Sequence, residues 1–138
     1  MNDFPAQIVV FLLAEQEYAL PIADVHEIIR YEPPVRVPTR DERVIGVINV
    51  RGQIVPLYDI SAQFGVTGAP VPTRVVIVNT ANRRLGLAVT QVADVLSVNE
   101  EMLAEMPAGF SVQTRIVRVG ERLIVLLSPE ELFATGKD

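Results

Sequence analysis

The sequence predicts an all-β protein with a few short helices, built from two small β-barrels packed together. Three observations predict this class: apolar runs of strand length recur along the chain, turn residues separate them, and both halves carry the same order of elements. Each half holds about five short strands, and a small curled sheet of that size closes most economically as a barrel. Two such barrels can bury a shared face.

Composition indicates a globular protein and excludes several kinds of site and partner. Of the 138 residues, 49% are hydrophobic and 21% are charged, which suits one domain over residues 1–138. The net charge is −5 and the basic residues do not cluster, which argues against a nucleic-acid partner. Without cysteine there can be no disulfide or thiolate site. No signal peptide or apolar run of membrane-spanning length is visible, so we expect a cytoplasmic protein without direct membrane insertion.

The first part of the chain is predicted to hold two strands and a short helix. Gln7–Leu13 is a continuous apolar run rich in β-branched residues, which indicates a buried strand. Tyr18–Pro21 returns as a second strand after a polar turn. Apolar residues at helical spacing predict an amphipathic helix over Ile22–Arg30. Prolines make Tyr31–Asp41 irregular, so this segment should cross the surface.

A central hairpin organises the rest of the chain. Two apolar runs, Val44–Val50 and Gln53–Ile60, flank Arg51 and Gly52, and Gly52 can take the positive φ of a two-residue turn. Both runs are apolar at nearly every residue, so we expect both faces of the hairpin to be covered. Pro56 lacks an N–H donor, which predicts an edge strand or a neighbouring bulge.

A short helix and a linker are predicted after the hairpin. Asp59 is placed to cap a helical turn over Ile60–Phe64, which ends at Gly65. Gly65–Pro72 has the composition of a linker.

The second half is predicted to repeat this pattern. Strands are expected at Arg74–Asn79, Arg84–Val89, Thr114–Val119 and Arg122–Leu127. Thr90–Val98 follows the second of these, Asn99 caps a one-turn helix, and Met106–Ser111 is a loop. Ser128 caps a last helix that has Pro129 at its first position.

The two halves, about 18–66 and 74–134, are interpreted as copies, with the strand at 7–13 packing on one of them. Residues 18–29 align with 85–96 at an offset of 67, and residues 47–64 align with 116–133 at an offset of 69. Identity is low, so chance similarity between apolar strands is the alternative. The matched order of strand, strand, helix, hairpin and capped helix favours duplication.

Catalytic and metal-binding residues are scarce. His26 is the only histidine and falls on the exposed side of the predicted helix, which excludes a multi-histidine metal site. Nucleophile–base pairs are poorly supplied, and the carboxylates lie in turns and helix starts, where capping explains them. The sequence therefore predicts no enzyme activity, no metal and no cofactor.

Arg51 and Glu27 each allow two interpretations. An arginine at a hairpin tip is usually a solvated charge, but a rigid hairpin can also hold the guanidinium for a carboxylate or carbonyl of a partner. Glu27 is either a solvated position or a contact beside Val25.

The run from Val44 to Asp59, VIGVINVRGQIVPLYD, preceded by Pro38, resembles the signature of the CheW family, adaptor proteins of bacterial chemosensory arrays. Weaker similarity lies at residues 18–28 and 85–92. The resemblance covers about Gln7 to Phe133. It implies two five-stranded Src-homology-3-like barrels and a protein that links transmembrane chemoreceptors to the regulatory domain of the histidine kinase CheA, without catalytic activity. It also implies a cytoplasmic protein recruited to membrane-associated receptor arrays.

The resemblance also assigns site residues. Arg51 matches the arginine of the receptor-coupling motif, so the cytoplasmic tip of a chemoreceptor is expected to contact five residues: Arg51, Val25, Glu27, Val92 and Val95. The kinase is expected to contact the first strand of the central hairpin, at Val44, Ile45, Val47 and Asn49.

Two positions depart from the family pattern, and other functions stay open. The family commonly has Leu-Val-Asp where this chain reads Ala88-Val89-Thr90, and Leu-Asp where it reads Leu127-Ser128. The alternatives are an adaptor of a non-flagellar pathway, serving pili or gene control, and an enzyme or small-ligand sensor built on a double barrel.

Overall fold

The computed structural model describes residues 4–66, 68, 70–104 and 115–133. Its strands are β1 (Gln7–Leu13), β2 (Gln16–Pro21), β3 (Val25–Arg30), β4 (Val44–Val50), β5 (Gln53–Tyr58), β6 (Arg74–Asn79), β7 (Arg84–Val89), β8 (Gln91–Ser97), β9 (Leu103–Ala104), β10 (Arg115–Val119) and β11 (Arg122–Leu126). Short 3-10 turns lie at Ile22–Asp24, Ala62–Phe64 and Glu100–Met102, and helix α1 is Pro129–Leu132.

The strands form two sheets, which confirms the predicted all-β class. One sheet has five strands in the order β3-β6-β7-β5-β4, and the other has six in the order β8-β1-β2-β11-β10-β9. Neighbours are antiparallel except β5 with β7 and β2 with β11, which are parallel. Residues 25–89 contain all strands of the five-stranded sheet, whereas the six-stranded sheet takes β1 and β2 from one side of that segment and β8–β11 from the other.

The strand register repeats at the two offsets that the sequence predicts. Leu57 pairs with Gly86 in the five-stranded sheet, and Leu126 pairs with Ala19 in the six-stranded sheet. The orders match strand for strand, because β3, β6, β7, β5 and β4 correspond to β8, β1, β2, β11 and β10. This correspondence supports the predicted duplication. Each sheet nevertheless combines strands from both halves, since β2 joins the six-stranded sheet and β6 and β7 join the five-stranded sheet.

The buried apolar residues in the described part of the chain form three clusters that account for the two-layer packing. One lies inside the five-stranded sheet and includes Val50, Val55, Leu57, Val75 and Ile77. A second lies inside the six-stranded sheet and includes Ile8, Val10, Val117, Ile124 and Leu126. The third joins residues of both sheets, among them Phe11, Leu20, Tyr58, Val76, Leu85 and Leu87. This third cluster, called the shared cluster below, holds the two sheets together by apolar burial.

The predicted helix at Ile22–Arg30 is wrong. Only Ile22–Asp24 is helical, as a 3-10 turn, and Val25–Arg30 is strand β3. The register against β6 shifts between Val25 and Glu27, so a bulge separates the apolar positions and imitates helical spacing. β8 carries the corresponding shift and is likewise a strand, so the helix of the predicted repeat is a strand in both copies.

The central hairpin has the predicted turn but not the predicted burial. Arg51 and Gly52 both have positive φ, 52° and 88°, as a type I′ turn requires. β5 is an interior strand, so Pro56 does not mark an edge. Pro56 pairs with Val47, whose own N–H and C=O bond to Val35, so the ladder between β4 and β5 needs no N–H from Pro56. Full cover on both faces is wrong, because residues 51–54 are exposed and β4 is an edge strand buried only at Gly46 and Val50.

The predicted helix caps agree only in part. Asp59 accepts the N–H of Ser61 at 2.9 Å but lies outside the 3-10 turn, which Gly65 ends in the left-handed conformation. Asn99 accepts the N–H of Glu101 at 2.9 Å, as predicted. Ser128 occupies the N-cap of α1 without a side-chain hydrogen bond. The predicted loop Met106–Ser111 lies outside the described residues.

Arg43 fastens α1 to the five-stranded sheet. Its Nη1 donates to the carbonyl of Leu132 at 2.7 Å, and its guanidinium carbon lies 5.5 Å from the ring centroids of both Tyr58 and Phe133. Asp41 holds the other side of the guanidinium by hydrogen bonds to Nε and Nη2. The chain therefore ties its last described helix to the segment that leads into β4.

Candidate functional site

The polar end of the five-stranded sheet brings Arg51 and Glu27 together. Arg51 Nη2 donates to Glu27 Oε1 at 2.8 Å, and Arg51 Nε donates to Oε2 at 3.3 Å. Glu27 lies on β3 and Arg51 in the β4–β5 turn, so the pair links the two opposite edges of the sheet. This contact requires the sheet to curl.

The pair leaves part of the Arg51 guanidinium available. Glu27 occupies Nε and Nη2, and 78% of the Arg51 side chain is exposed against 20% for Glu27. Asn49 accepts the N–H of Gly52 at 2.8 Å, which braces the turn. An arginine held on one edge of its planar fork can offer the other edge to a carboxylate or to carbonyl oxygens.

Glu27 should titrate at low pH. The hydrogen bond from Arg51, helped by the positive charges of Arg51, His26 and Arg84, holds the pKa of Glu27 below its usual range. Because the pKa of Glu27 is lowered, the ion pair is intact at pH values above the ordinary glutamate pKa. It is lost as pH falls through the lowered pKa. We expect an NMR titration of the Glu27 carboxyl to show this low midpoint, and Arg51→Ala to raise it. An unchanged midpoint in Arg51→Ala would contradict the pairing, and Arg118→Ala is the control for charge removal elsewhere.

The predicted kinase-contact residues are mostly half-buried. Val44 packs against the shared cluster, Ile45 packs inside the five-stranded sheet, and Val47 forms a backbone bridge with Val35. Asn49 is exposed. β4 is an edge strand, but few of its apolar side chains face solvent, and the kinase contact there stays a prediction.

Two exposed apolar residues beside this edge were missed by sequence reasoning. Ile54 is 65% exposed and Val35 is 67% exposed. Together with Val47, Ile48 and Asn49 they line a groove of about 460 Å³. Alternation along β5, where Val55 and Leu57 are buried, could have identified Ile54 as an outward residue.

The remaining predicted receptor contacts lie on both sheets. Val25 on β3 and Val92 on β8 are half-buried against the shared cluster, and Val95 on β8 is 53% exposed. Val25 and Val92 match in the repeat because β3 and β8 occupy equivalent places in the two strand orders. The hydrogen bonds and ion pairs of the described residues bring Arg51 to Glu27 and to none of the three valines.

His26 is exposed on β3, as predicted. The described ranges contain no group of three or more histidine, cysteine, aspartate or glutamate residues placed to hold a metal ion. No helix within them is long and apolar enough to cross a membrane.

Comparison with known proteins identifies the family. The family model of the CheW-like domain matches residues 7–137. The chain belongs to the CheW family. A probable chemotaxis protein CheW of Rhizobium etli is 31% identical, with 97% of this chain and 91% of that protein covered. The chemotaxis protein CheW of Klebsiella aerogenes is also 31% identical, covering 94% of this chain and 82% of that protein.

A solved structure of the CheW family has the same fold. The crystal structure of the scaffolding protein TtCheW from Thermoanaerobacter tengcongensis matches with a TM-score of 0.83 and 30% identity. The match covers 98% of this chain and 97% of that one. This confirms the expected two-unit β-fold along nearly the whole chain.

Thr90, where the CheW family commonly has aspartate, has a structural role. Its Oγ1 accepts the N–H of Ala14 at 2.8 Å, and its own N–H donates to the carbonyl of Leu12 at 2.9 Å. Ala14 has a φ of 58°, a conformation that costs a non-glycine residue free energy. Thr90 therefore braces the β1–β2 turn from the start of β8 and connects the two sheets.

Ile54→Asp is expected to weaken kinase binding about tenfold if the β4 edge and its groove form the kinase contact. The thermal midpoint should change little, because Ile54 is already exposed. Titration calorimetry with the kinase regulatory domain measures the affinity. Val71→Asp, at a residue that is 75% exposed outside the hairpin, is the matched control. Equal losses of affinity in both variants would mean that the groove is not the contact.

Proposed function

We propose that this chain is a non-enzymatic adaptor that couples transmembrane chemoreceptors to a CheA-type histidine kinase in the cytoplasm, at membrane-associated receptor arrays. Receptor tips would contact Arg51, Glu27 and the valines of β3 and β8. The kinase regulatory domain would contact the β4 edge. No cofactor or metal takes part in this function.

The observation that carries the proposal is the exposed Arg51 fork, held by Glu27 at the tip of a hairpin in a CheW-family chain. A hairpin tip that is fixed by a type I′ turn and an ion pair presents its guanidinium with little orientational freedom. Preorganisation of this kind lowers the entropic cost of binding. The relative named as a scaffolding protein supports an adaptor role over catalysis.

A reconstitution experiment tests the proposal. Receptor signalling fragments, a CheA-type kinase and this protein are mixed and sedimented, and the kinase in the pellet is measured with and without the protein. We expect the kinase to pellet with receptors only when this protein is present. Kinase recruitment that does not depend on the protein, or no binding to either partner, would refute the adaptor role.

A further inference from the structure

Charge is divided unequally between the two structural units. Residues 25–89, which carry the five-stranded sheet, contain eight arginines and five carboxylates, for a net charge of +3. The whole chain has a net charge of −5, so the remainder carries −8. The segment that carries the five-stranded sheet is therefore net positive within an acidic chain, and a net positive segment favours an acidic partner.

Arg84 is held in this unit by neutral groups. Its Nε donates to Asn79 Oδ1 at 3.0 Å, and its Nη1 donates to Gln53 Oε1 at 3.1 Å. In contrast, Arg43, Arg51 and Arg122 all pair with carboxylates. No ion pair among the described residues involves Arg84. Two amides thus fix its orientation, and its hydrogen bonds to side chains in the described residues go to neutral groups.

Arg84 lies at the same end of the sheet as Arg51. β5 and β7 are parallel, so Gln53 and Arg84 start neighbouring strands, and Gln53 is two residues from Arg51. The positive charges of both arginines lower the pKa of Glu27. The end of the sheet therefore brings Arg51 and Arg84 to the neighbourhood of the same carboxylate, Glu27.

We propose that Arg84 is a second anchor beside Arg51 and that the two arginines together bind carboxylates on an acidic segment of the receptor tip. This inference rests on the proposed receptor-coupling function. Arg51 offers the free edge of its guanidinium, and Arg84 offers a guanidinium whose orientation is fixed by amides. Asn79 and Gln53 position Arg84.

The test measures affinity for a receptor signalling fragment at two salt concentrations. We expect Arg84→Gln to weaken binding about tenfold and to flatten its salt dependence, because one charged contact is lost. Arg118→Gln removes an equal charge from the exposed face of β10 and should change affinity less than about twofold. Asn79→Ala keeps every charge but releases Arg84, so it should weaken binding severalfold without lowering the thermal midpoint.

The outcomes separate this inference from the adaptor role. Receptor binding by wild type with equal effects of Arg84→Gln and Arg118→Gln would overturn the second anchor and leave the adaptor role intact. A larger effect of Arg84→Gln on kinase affinity than on receptor affinity would also overturn it. If the wild-type protein fails to bind the receptor fragment, the proposed function fails and the inference fails with it.

Discussion

Gly46→Ala is expected to destabilise the protein by about 3 kcal/mol, since it combines backbone strain with a steric clash. Gly46 has a φ of 150°, and an added Cβ would lie 2.5 Å from the carbonyl oxygen of Val35 and 2.8 Å from Pro34 Cβ. This carbonyl belongs to the backbone bridge between Val35 and Val47. Relief of the clash would therefore separate the segment around Val35 from β4. Urea denaturation measures the change.

Gly120→Ala is the matched control for this variant. Gly120 also has positive φ, 61°, but an added Cβ would meet nothing within 4 Å. Only the conformational penalty of about 1–2 kcal/mol should apply there. Similar losses in the two variants would show that the close approach to Val35 contributes nothing.

Arg51→Ala is expected to lower receptor affinity about thirtyfold, as for an arginine at the centre of a binding site. The free energy of unfolding should hardly change, because Arg51 is largely exposed and its turn is braced by Asn49. Arg51→Lys should restore little affinity, since an ammonium lacks the planar fork that holds Glu27 and an external acceptor together. Kinase affinity should be retained, because we place that contact on the β4 edge.

Titration of wild type and both variants with receptor and kinase fragments separates the possibilities. Receptor affinity that is unchanged in Arg51→Ala would leave the arginine as a solvated turn residue. Loss of affinity for both partners would instead point to a disturbed hairpin. Arg118→Ala, on the other sheet, controls for loss of a positive charge.

The strand pattern could be predicted because turn chemistry and apolar runs are local. The presence of Gly52 predicted the hairpin turn that the structure shows. The sequence offsets of 67 and 69 relate the paired residues of one sheet to those of the other. β3 could not be predicted, because a bulge near His26 changes the spacing of apolar residues and only pairing with β6 reveals it. The exchange of strands between halves also depends on tertiary pairing.

The sequence proposed residues for the candidate site but could not give their contacts. The resemblance identified Arg51 and Glu27, and the structure pairs them across 24 positions of sequence. Continuous apolar runs suggested cover on both faces, so exposed Ile54 was missed. Arg84 gave no signal, because its orientation depends on amides that lie 5 and 31 positions away.

Residues 25–89 lie between β2 and β8 of the six-stranded sheet. This position sets the order in which the two sheets can form during synthesis. The five-stranded sheet can assemble once Val89 has emerged, whereas β2 must wait for β11. Until then, the edge of β2 that pairs with β11 in the finished protein is open, and Leu127 and Phe133 are missing from the cluster that joins the two sheets. Exposed strands of this kind are prone to aggregate, so the nascent chain passes through a stage at which a chaperone should bind it.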